Sequence, residues 1–177
     1  MWIRFRNDRE KHAIQKLGFE QYKRDKVESS ALLLGKQYRK EIESGVLLDM
    51  DVHFVSQEIG YGAFSKEWIP QHFYIGEYGG LVRKNIREYF TPLNNYLMEY
   101  PVTDRLGGTF VIDAQEGNNA RFINHSDQPN IKFFYAFVDG FYHAIFLTIR
   151  EIVKGEELAY DYGANYWLLR EPPEIIK

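Results

Sequence analysis

"RFINHSDQPN", Arg121 to Asn130, is the most informative segment of this chain. It sets Asn124, His125 and Ser126 in a row and follows them with Pro129 and Asn130. Asn and His side chains pair donors with acceptors and can seat a polar ligand, although a satisfied buried network is their commoner use. A polar turn would account for these residues taken alone, so their surroundings have to decide.

The chain has 177 residues and is 45% hydrophobic, enough for one sizeable core, and a single domain is the default. No apolar run approaches the roughly 20 residues that cross a bilayer. The opening "MWIRFRNDRE" is broken by charges rather than leading into an apolar signal segment. A soluble protein inside a cell is therefore expected, in cytoplasm or nucleus, including a host nucleus if it is delivered there. With no cysteine there is no disulfide, no thiol nucleophile and no thiolate zinc site. The net charge of −3 conceals a division. Residues 1–40 hold 11 Lys/Arg against 5 Asp/Glu, a balance of +6, and residues 41–177 hold 11 against 20, a balance of −9. An acidic main body disfavours nucleic-acid phosphate and favours basic partners such as Lys-rich tails; an ordinary solvated surface with a basic helix packed on it explains the split equally well.

Val27, Ala31, Leu34, Tyr38 and Ile42 step by three or four, which predicts a helix that stops at Ser44-Gly45. After Gly45 the chain turns to short β-rich runs, "VHFV", "HFYIGEY", "GTFVIDA" and "KFFYAFV", separated by Gly, Asn, Asp and Pro. Asp139-Gly140 between "IKFFYAFV" and "FYHAIFLTI" predicts a two-residue type I′ hairpin. The spacing from Lys84 to Tyr100, interrupted by Pro92, predicts a short helical insertion among the strands.

Three further stretches qualify for chemistry. In "IGYGAFS", Gly60 and Gly62 flank Tyr61, which predicts a flexible turn whose N–H groups can approach an anion; a plain hairpin explains it as well. In "IGEYGG", Tyr78 ends a strand beside two glycines, and a buried core tyrosine would suffice. In "GEELAYDYGANYW", an extended chain points Tyr160 and Tyr162 to one side and Asp161 to the other. Two hydroxyls beside an Asn-His segment can line a narrow, polar-ended aromatic channel, or can be simple packing.

Taken in this order over Ile59 to Gly163, the stretches resemble the SET-domain protein lysine methyltransferases. That family carries a G-x-G turn, an E-Y-x-G strand end, an R-F-I-N-H-S segment followed by P-N, and a G-E-E-L-x-Y-D-Y segment. They stand here as Gly60-Tyr61-Gly62, Glu77 to Gly80, Arg121 to Asn130 and Gly155 to Tyr162. The resemblance implies a mostly β fold with short helices: small curved sheets around a knot-like C-terminal segment, preceded by an N-terminal helical region. It implies a basic helical extension over residues 1–50, a catalytic domain over 51–163, and a tail over 164–177 able to close the substrate channel. The methyl donor, S-adenosylmethionine (AdoMet), would bind one face and leave as S-adenosylhomocysteine, with a lysine entering from the other face. Gly60, Tyr61 and Gly62 would contact its methionine part, and Asn124 and His125 its amino and adenine ends. Tyr162 matches the family's catalytic tyrosine, beside the methyl. Tyr78 would line the lysine channel, and Tyr160 takes the position that tunes how many methyls are added; its hydroxyl favours mono-methylation.

The departures are as informative. Many members place Cys after N-H-S and bind zinc through a cysteine-rich tail, whereas Asp127 stands there and "NYWLLREPPEIIK" has no Cys. No zinc is expected, and closure would fall to Tyr166, Trp167 and Leu168 or to the partner. The implied partner is a Lys-rich basic protein, a histone or histone-like protein, with no direct nucleic-acid or membrane binding and with self-association left open. The rival readings are a degenerate SET fold serving as a binding module, and a metal-dependent hydrolase using His53, His72, His125 and His143, for which the sequence offers no ligand spacing.

Overall fold

The computed structural model describes residues 2–24, 26–85 and 94–167. It begins with three helices, α1 (Asp8–Lys23), α2 (Ser29–Gln37) and α3 (Arg39–Ser44). Asn7 caps α1, its side chain accepting from the Glu10 N–H, and Asp8 and Glu10 place negative charge in the first turn. The helix expected from Val27 to Ile42 is two helices. Tyr38 leaves helical geometry at φ −107° and ψ 19°, closing α2 and opening α3, so the apolar stripe continues through a bend. Gly45 ends α3 as expected, its N–H donating to Glu41 and Ile42 carbonyls.

Ten strands follow among the described residues. Strands β1 (Met50–Ser56) and β2 (Gly60–Ser65) form an antiparallel hairpin. Strands β3 (Tyr74–Glu77), β8 (Ile131–Val138) and β9 (Phe141–Thr148) form a sheet in the order β3-β9-β8. Strands β4 (Leu81–Lys84), β5 (Leu97–Thr103) and β6 (Thr109–Asp113) form another, ordered β4-β6-β5. Strands β7 (Asn124–His125) and β10 (Ala159–Tyr160) pair in parallel, and a short helix α4 (Ala164–Trp167) follows. The expected mostly β architecture of small sheets with an N-terminal helical region is therefore present.

The β8–β9 hairpin turns where expected, with Asp139 at φ 49° and Gly140 at φ 86°, the two positive values a type I′ turn requires. Strand β9 is buried along its whole length because both its faces are covered. On one face Ala144 and Phe146 join the main core with Ile75, Tyr78, Ile112 and Ile123. On the other, Ile145 and Leu147 pack with Ile42, Leu34 and Tyr38 from the helices. Helix α2 lies very close on β8: a Cβ at Gly35 would stand 2.0 Å from the Phe137 carbonyl oxygen. Two sequence expectations need correction. Leu97 to Tyr100, expected at the end of a helical insertion, is strand β5, because its Met98 and Tyr100 alternate inward against β6; Lys84 likewise ends β4. Residues 86–93 of that insertion lie outside the described residues. The Gly60-Tyr61-Gly62 turn is instead the start of β2: Gly60, at φ 84°, closes the hairpin, and Tyr61 and Gly62 are already paired with Phe54 and His53.

Candidate active site

The site is built where the chain's C-terminal segment passes beside the stretch quoted at the outset. Asn124 and His125 pair with Ala159 and Tyr160, two parallel strands whose side chains are delivered side by side from points 35 residues apart. Asn130 fixes this crossing. Its buried side chain accepts from the Ala159 N–H at 2.9 Å and donates to the Glu157 carbonyl at 2.7 Å and to Glu156 Oε1 at 3.0 Å. Main-chain bonds from Ser126 to the Tyr160 carbonyl and from Asn130 to the Ala159 carbonyl extend the clamp. The opening segment is thus a strand and a clamp, not a polar turn.

Asn124 lies beside the glycine pair. Its Nδ2 donates to the Tyr61 carbonyl at 3.2 Å and to Glu157 Oε1 at 2.8 Å, which leaves its carbonyl oxygen as an acceptor on its other side. A Cβ at Gly62 would stand 2.7 Å from Glu157 Oε1, so glycine is what lets this carboxylate seat against β2. Half-exposed Tyr61 leans over Phe122 at 5.9 Å between ring centres. His125 Nδ1 accepts the Tyr162 N–H at 3.2 Å, so the ring proton of the neutral form sits on Nε2, which faces Asp127 Oδ1 at 3.3 Å. Asp161 is exposed, as the alternation predicts.

Four tyrosines converge beyond this pair. The rings of Tyr160 and Tyr162 are 4.8 Å apart, on one side as expected, and Tyr166 stands edge-on to Tyr162 at 4.5 Å. Tyr160 also packs edge-on to Phe146 at 5.0 Å and Phe133 at 6.0 Å, and Tyr78 to Phe146 at 6.2 Å. The Tyr162 hydroxyl donates to the Ile123 carbonyl at 3.1 Å. Burial, then the neighbouring Tyr162 and Asp113, pushes the Tyr78 phenol far above its ordinary value; burial, then Tyr162 and Tyr78, does the same for Tyr160. Both hydroxyls stay neutral at physiological pH. Tyr162 raises both values, and both rings pack on Phe146, so the two phenols share one poorly hydrated aromatic enclosure.

All the residues singled out from the sequence, Gly60, Tyr61, Gly62, Tyr78, Asn124, His125, Tyr160 and Tyr162, thus belong to one continuous neighbourhood. The side chain of Trp167 and everything from Leu168 onward lie outside the described residues. Sequence reasoning missed the parts played by Glu157 and Asn130, although both stood inside quoted stretches; Asn130 follows Pro129, and its burial was the unread signal. It also missed a buried pair behind Tyr78. Glu77 Oε1 and His143 Nδ1 are 2.6 Å apart and almost wholly enclosed. Of the four histidines considered for a hydrolase, three are otherwise engaged: His53 stacks on Phe64 at 3.9 Å, His125 bonds Tyr162 and His143 bonds Glu77. Among the described residues no group of three or more His, Cys, Asp or Glu side chains is arranged to hold a metal ion. Among them, too, no helix is long and apolar enough to cross a membrane.

The parallel pair threaded through a mostly β fold, with its Asn-His and Tyr-x-Tyr segments abreast, defines a SET domain. The SET domain family model matches residues 60–163, and the chain belongs to this family. It is similar to rat histone-lysine N-methyltransferase SETMAR, 29% identical over 137 residues, covering 71% of this chain and 42% of that protein. It is similar to the variant-silencing SET domain-containing protein of Plasmodium falciparum, 30% identical over 139 residues, covering 74% of this chain and 5% of the relative. Human histone-lysine N-methyltransferase 2B is 36% identical over 111 residues, covering 58% of this chain and 4% of that protein. The chain spans less than half the length of each of these relatives.

Proposed function

We propose that this chain transfers a methyl group from AdoMet to the side-chain amine of a lysine in a basic protein, a histone or histone-like protein, adding chiefly one methyl. The observation that carries the reading is the side-by-side delivery of Asn124-His125 and Tyr160-Asp161-Tyr162, with Tyr78 joined to the same enclosure. Membership of the SET family and the likeness to histone-lysine N-methyltransferases support it.

The residues suit a cationic methyl donor. The Asn124 carbonyl oxygen, the hydroxyls of the tyrosines and the Ile123 carbonyl are acceptors, and the aromatic rings present negative faces, all of which favour ammonium and sulfonium groups. In this reading Gly60, Tyr61, Gly62, Asn124, His125 and Tyr162 hold the donor. Bound AdoMet supplies an activated methyl on a sulfonium sulfur. The lysine nitrogen must arrive neutral, yet a free lysine with pKa near 10.4 is protonated at neutral pH. Burial among Tyr78, Tyr160 and Phe146 favours the neutral amine by desolvation, and a neighbouring positive charge adds to this, so the proton leaves to water before transfer. An amine held neutral and aligned in this channel would present its lone pair to the methyl that bound AdoMet supplies, with the thioether as the leaving group. Neutral Tyr78 and Tyr160 serve as orienting hydroxyls and not as phenolate bases. Alignment in a narrow channel supplies much of the rate.

The reading is tested by titrating AdoMet into the purified protein in a calorimeter. Saturable binding that weakens at least roughly tenfold in Asn124→Ala, as expected for loss of a hydrogen bond to a charged group, supports it. Absence of binding would instead leave a degenerate fold that serves as a binding module.

A further inference from the structure

Behind Tyr78, on the sheet face opposite the tyrosine enclosure, lies a polar cluster that the proposed reaction does not use. Glu77 pairs in the strand ladder with Ile145, whose side chain packs toward the helices, while Tyr78 and Phe146 face the main core. From that rear face the Glu77 carboxylate makes two contacts: Oε1 with His143 Nδ1 at 2.6 Å, and Oε2 with the Trp2 main-chain N–H at 2.7 Å. Trp2 is itself tied down, its Nε1–H donating to the Gly45 carbonyl at 2.7 Å at the end of α3. Arg4 continues the attachment by exchanging main-chain bonds with Gly80 and Val82.

The main chain around Tyr78 is held just as tightly. The Glu77 carbonyl accepts from Asn118 Nδ2 at 2.8 Å, the Tyr78 N–H donates to the Ala144 carbonyl at 2.8 Å, and the Gly79 N–H donates to Asn118 Oδ1 at 3.2 Å. This matters because β3 ends at Glu77, so Tyr78 sits where regular strand pairing stops. Two buried ionisable groups are costly to enclose, and apolar residues of similar volume would often serve stability as well or better. Their use is then better sought in what they hold in place.

We propose that Glu77 is a positioning residue for Tyr78: by joining His143 of β9 to the N-terminal strap at Trp2, it fixes the backbone from which Tyr78 enters the lysine channel. The proposal rests on the reading of Tyr78 as a wall of that channel. It also gives the N-terminal segment a task in catalysis, since its first described residue completes the coordination of the carboxylate.

The test uses Glu77→Gln, which keeps the length of the side chain but cannot accept from both His143 and Trp2. With core histones as substrate, its kcat is expected to fall roughly tenfold to a hundredfold, the scale of a misplaced catalytic group, while AdoMet affinity stays at the wild-type value. In a Tyr78→Phe background the same substitution should cost nothing further, because both changes act through one hydroxyl. Amide hydrogen exchange should quicken at Tyr78 and Gly79 and remain slow at Ser126 and Asn130. Losses that multiply in the double variant, or AdoMet affinity that falls in step with kcat, would overturn the proposal and leave Glu77 a general structural residue. Full activity of Tyr78→Phe alone would instead remove the channel reading on which it rests. Should core histones accept no methyl from the wild type, the exchange experiment decides: unchanged protection at Tyr78 and Gly79 in Glu77→Gln overturns the proposal.

Discussion

Tyr160 and Tyr162 stand 4.8 Å apart with their hydroxyl chemistry divided by environment. Both residues are partly buried, but Tyr162 donates to the Ile123 carbonyl, whereas Tyr160 is wedged between Phe133 and Phe146. Under the proposed function the Tyr160 hydroxyl, or a water it holds, occupies room that a second methyl would need. Tyr160→Phe is therefore expected to shift the product from mono-methyl toward di- and tri-methyl lysine, read by mass spectrometry; a wild type that already yields equal di- and tri-methyl product would refute the assignment. At this scale the sequence was most legible, because the alternation of an extended chain alone places both tyrosines on one side and Asp161 on the other. What it could not show was the neighbour set. Glu157 meets Asn124 across 33 residues, and Glu77 meets His143 across 66. No local pattern encodes such pairings.

Two short parallel strands and one clamping side chain hold the site's elements together. Asn130 makes three side-chain bonds to the C-terminal segment, so Asn130→Ala strands a buried N–H and a buried carbonyl at once. An expected loss of about 3 kcal/mol of stability follows from the cost of unpaired buried groups; denaturant unfolding measures it, and a loss below about 1 kcal/mol would show that water or main chain replaces the clamp. The elements were unevenly readable. The β8–β9 hairpin was plain, since Asp-Gly satisfies two positive φ values between two aromatic and β-branched runs. The helix from Val27 broke at Tyr38, where apolar periodicity carries no warning of a bend. Met98 and Tyr100 fell at the end of the expected helical insertion, yet their spacing by two fits a strand, and pairing with β6 settles it. The Gly60-Gly62 pair was read as a turn because glycine signals both turns and close approaches; Gly62 serves the second purpose.

Across the whole molecule, buried and half-buried phenols dominate the titratable interior. Tyr78, Tyr100, Tyr135 and Tyr160 are all pushed upward, in each case chiefly by burial. A tyrosine raised in the folded state binds its proton more tightly there than in the unfolded chain, where its pKa is about 10. Its contribution is thus complete below pH 10 and is lost as pH rises further. Each such group should remove about 1.4 kcal/mol per pH unit above that point, and the four together predict a steep alkaline collapse. The thermal midpoint is expected to hold steady between pH 8 and about 10 and then to drop; a midpoint that declines smoothly from pH 8 would contradict the burial of these hydroxyls. The division of charge, +6 over residues 1–40 and −9 beyond, agrees with a basic substrate reaching an acidic body. Methyltransferase activity is decided by transfer of isotope-labelled methyl from AdoMet onto core histones, by wild type and by Tyr162→Phe, with products mapped by mass spectrometry. Label on lysine, reduced about a hundredfold or more in Tyr162→Phe by loss of the aligned hydroxyl, is the expected result. No label on lysine from a wild type that fails to bind AdoMet would rule out the methyltransferase, and equal labelling by both proteins would rule out Tyr162 as its catalytic tyrosine.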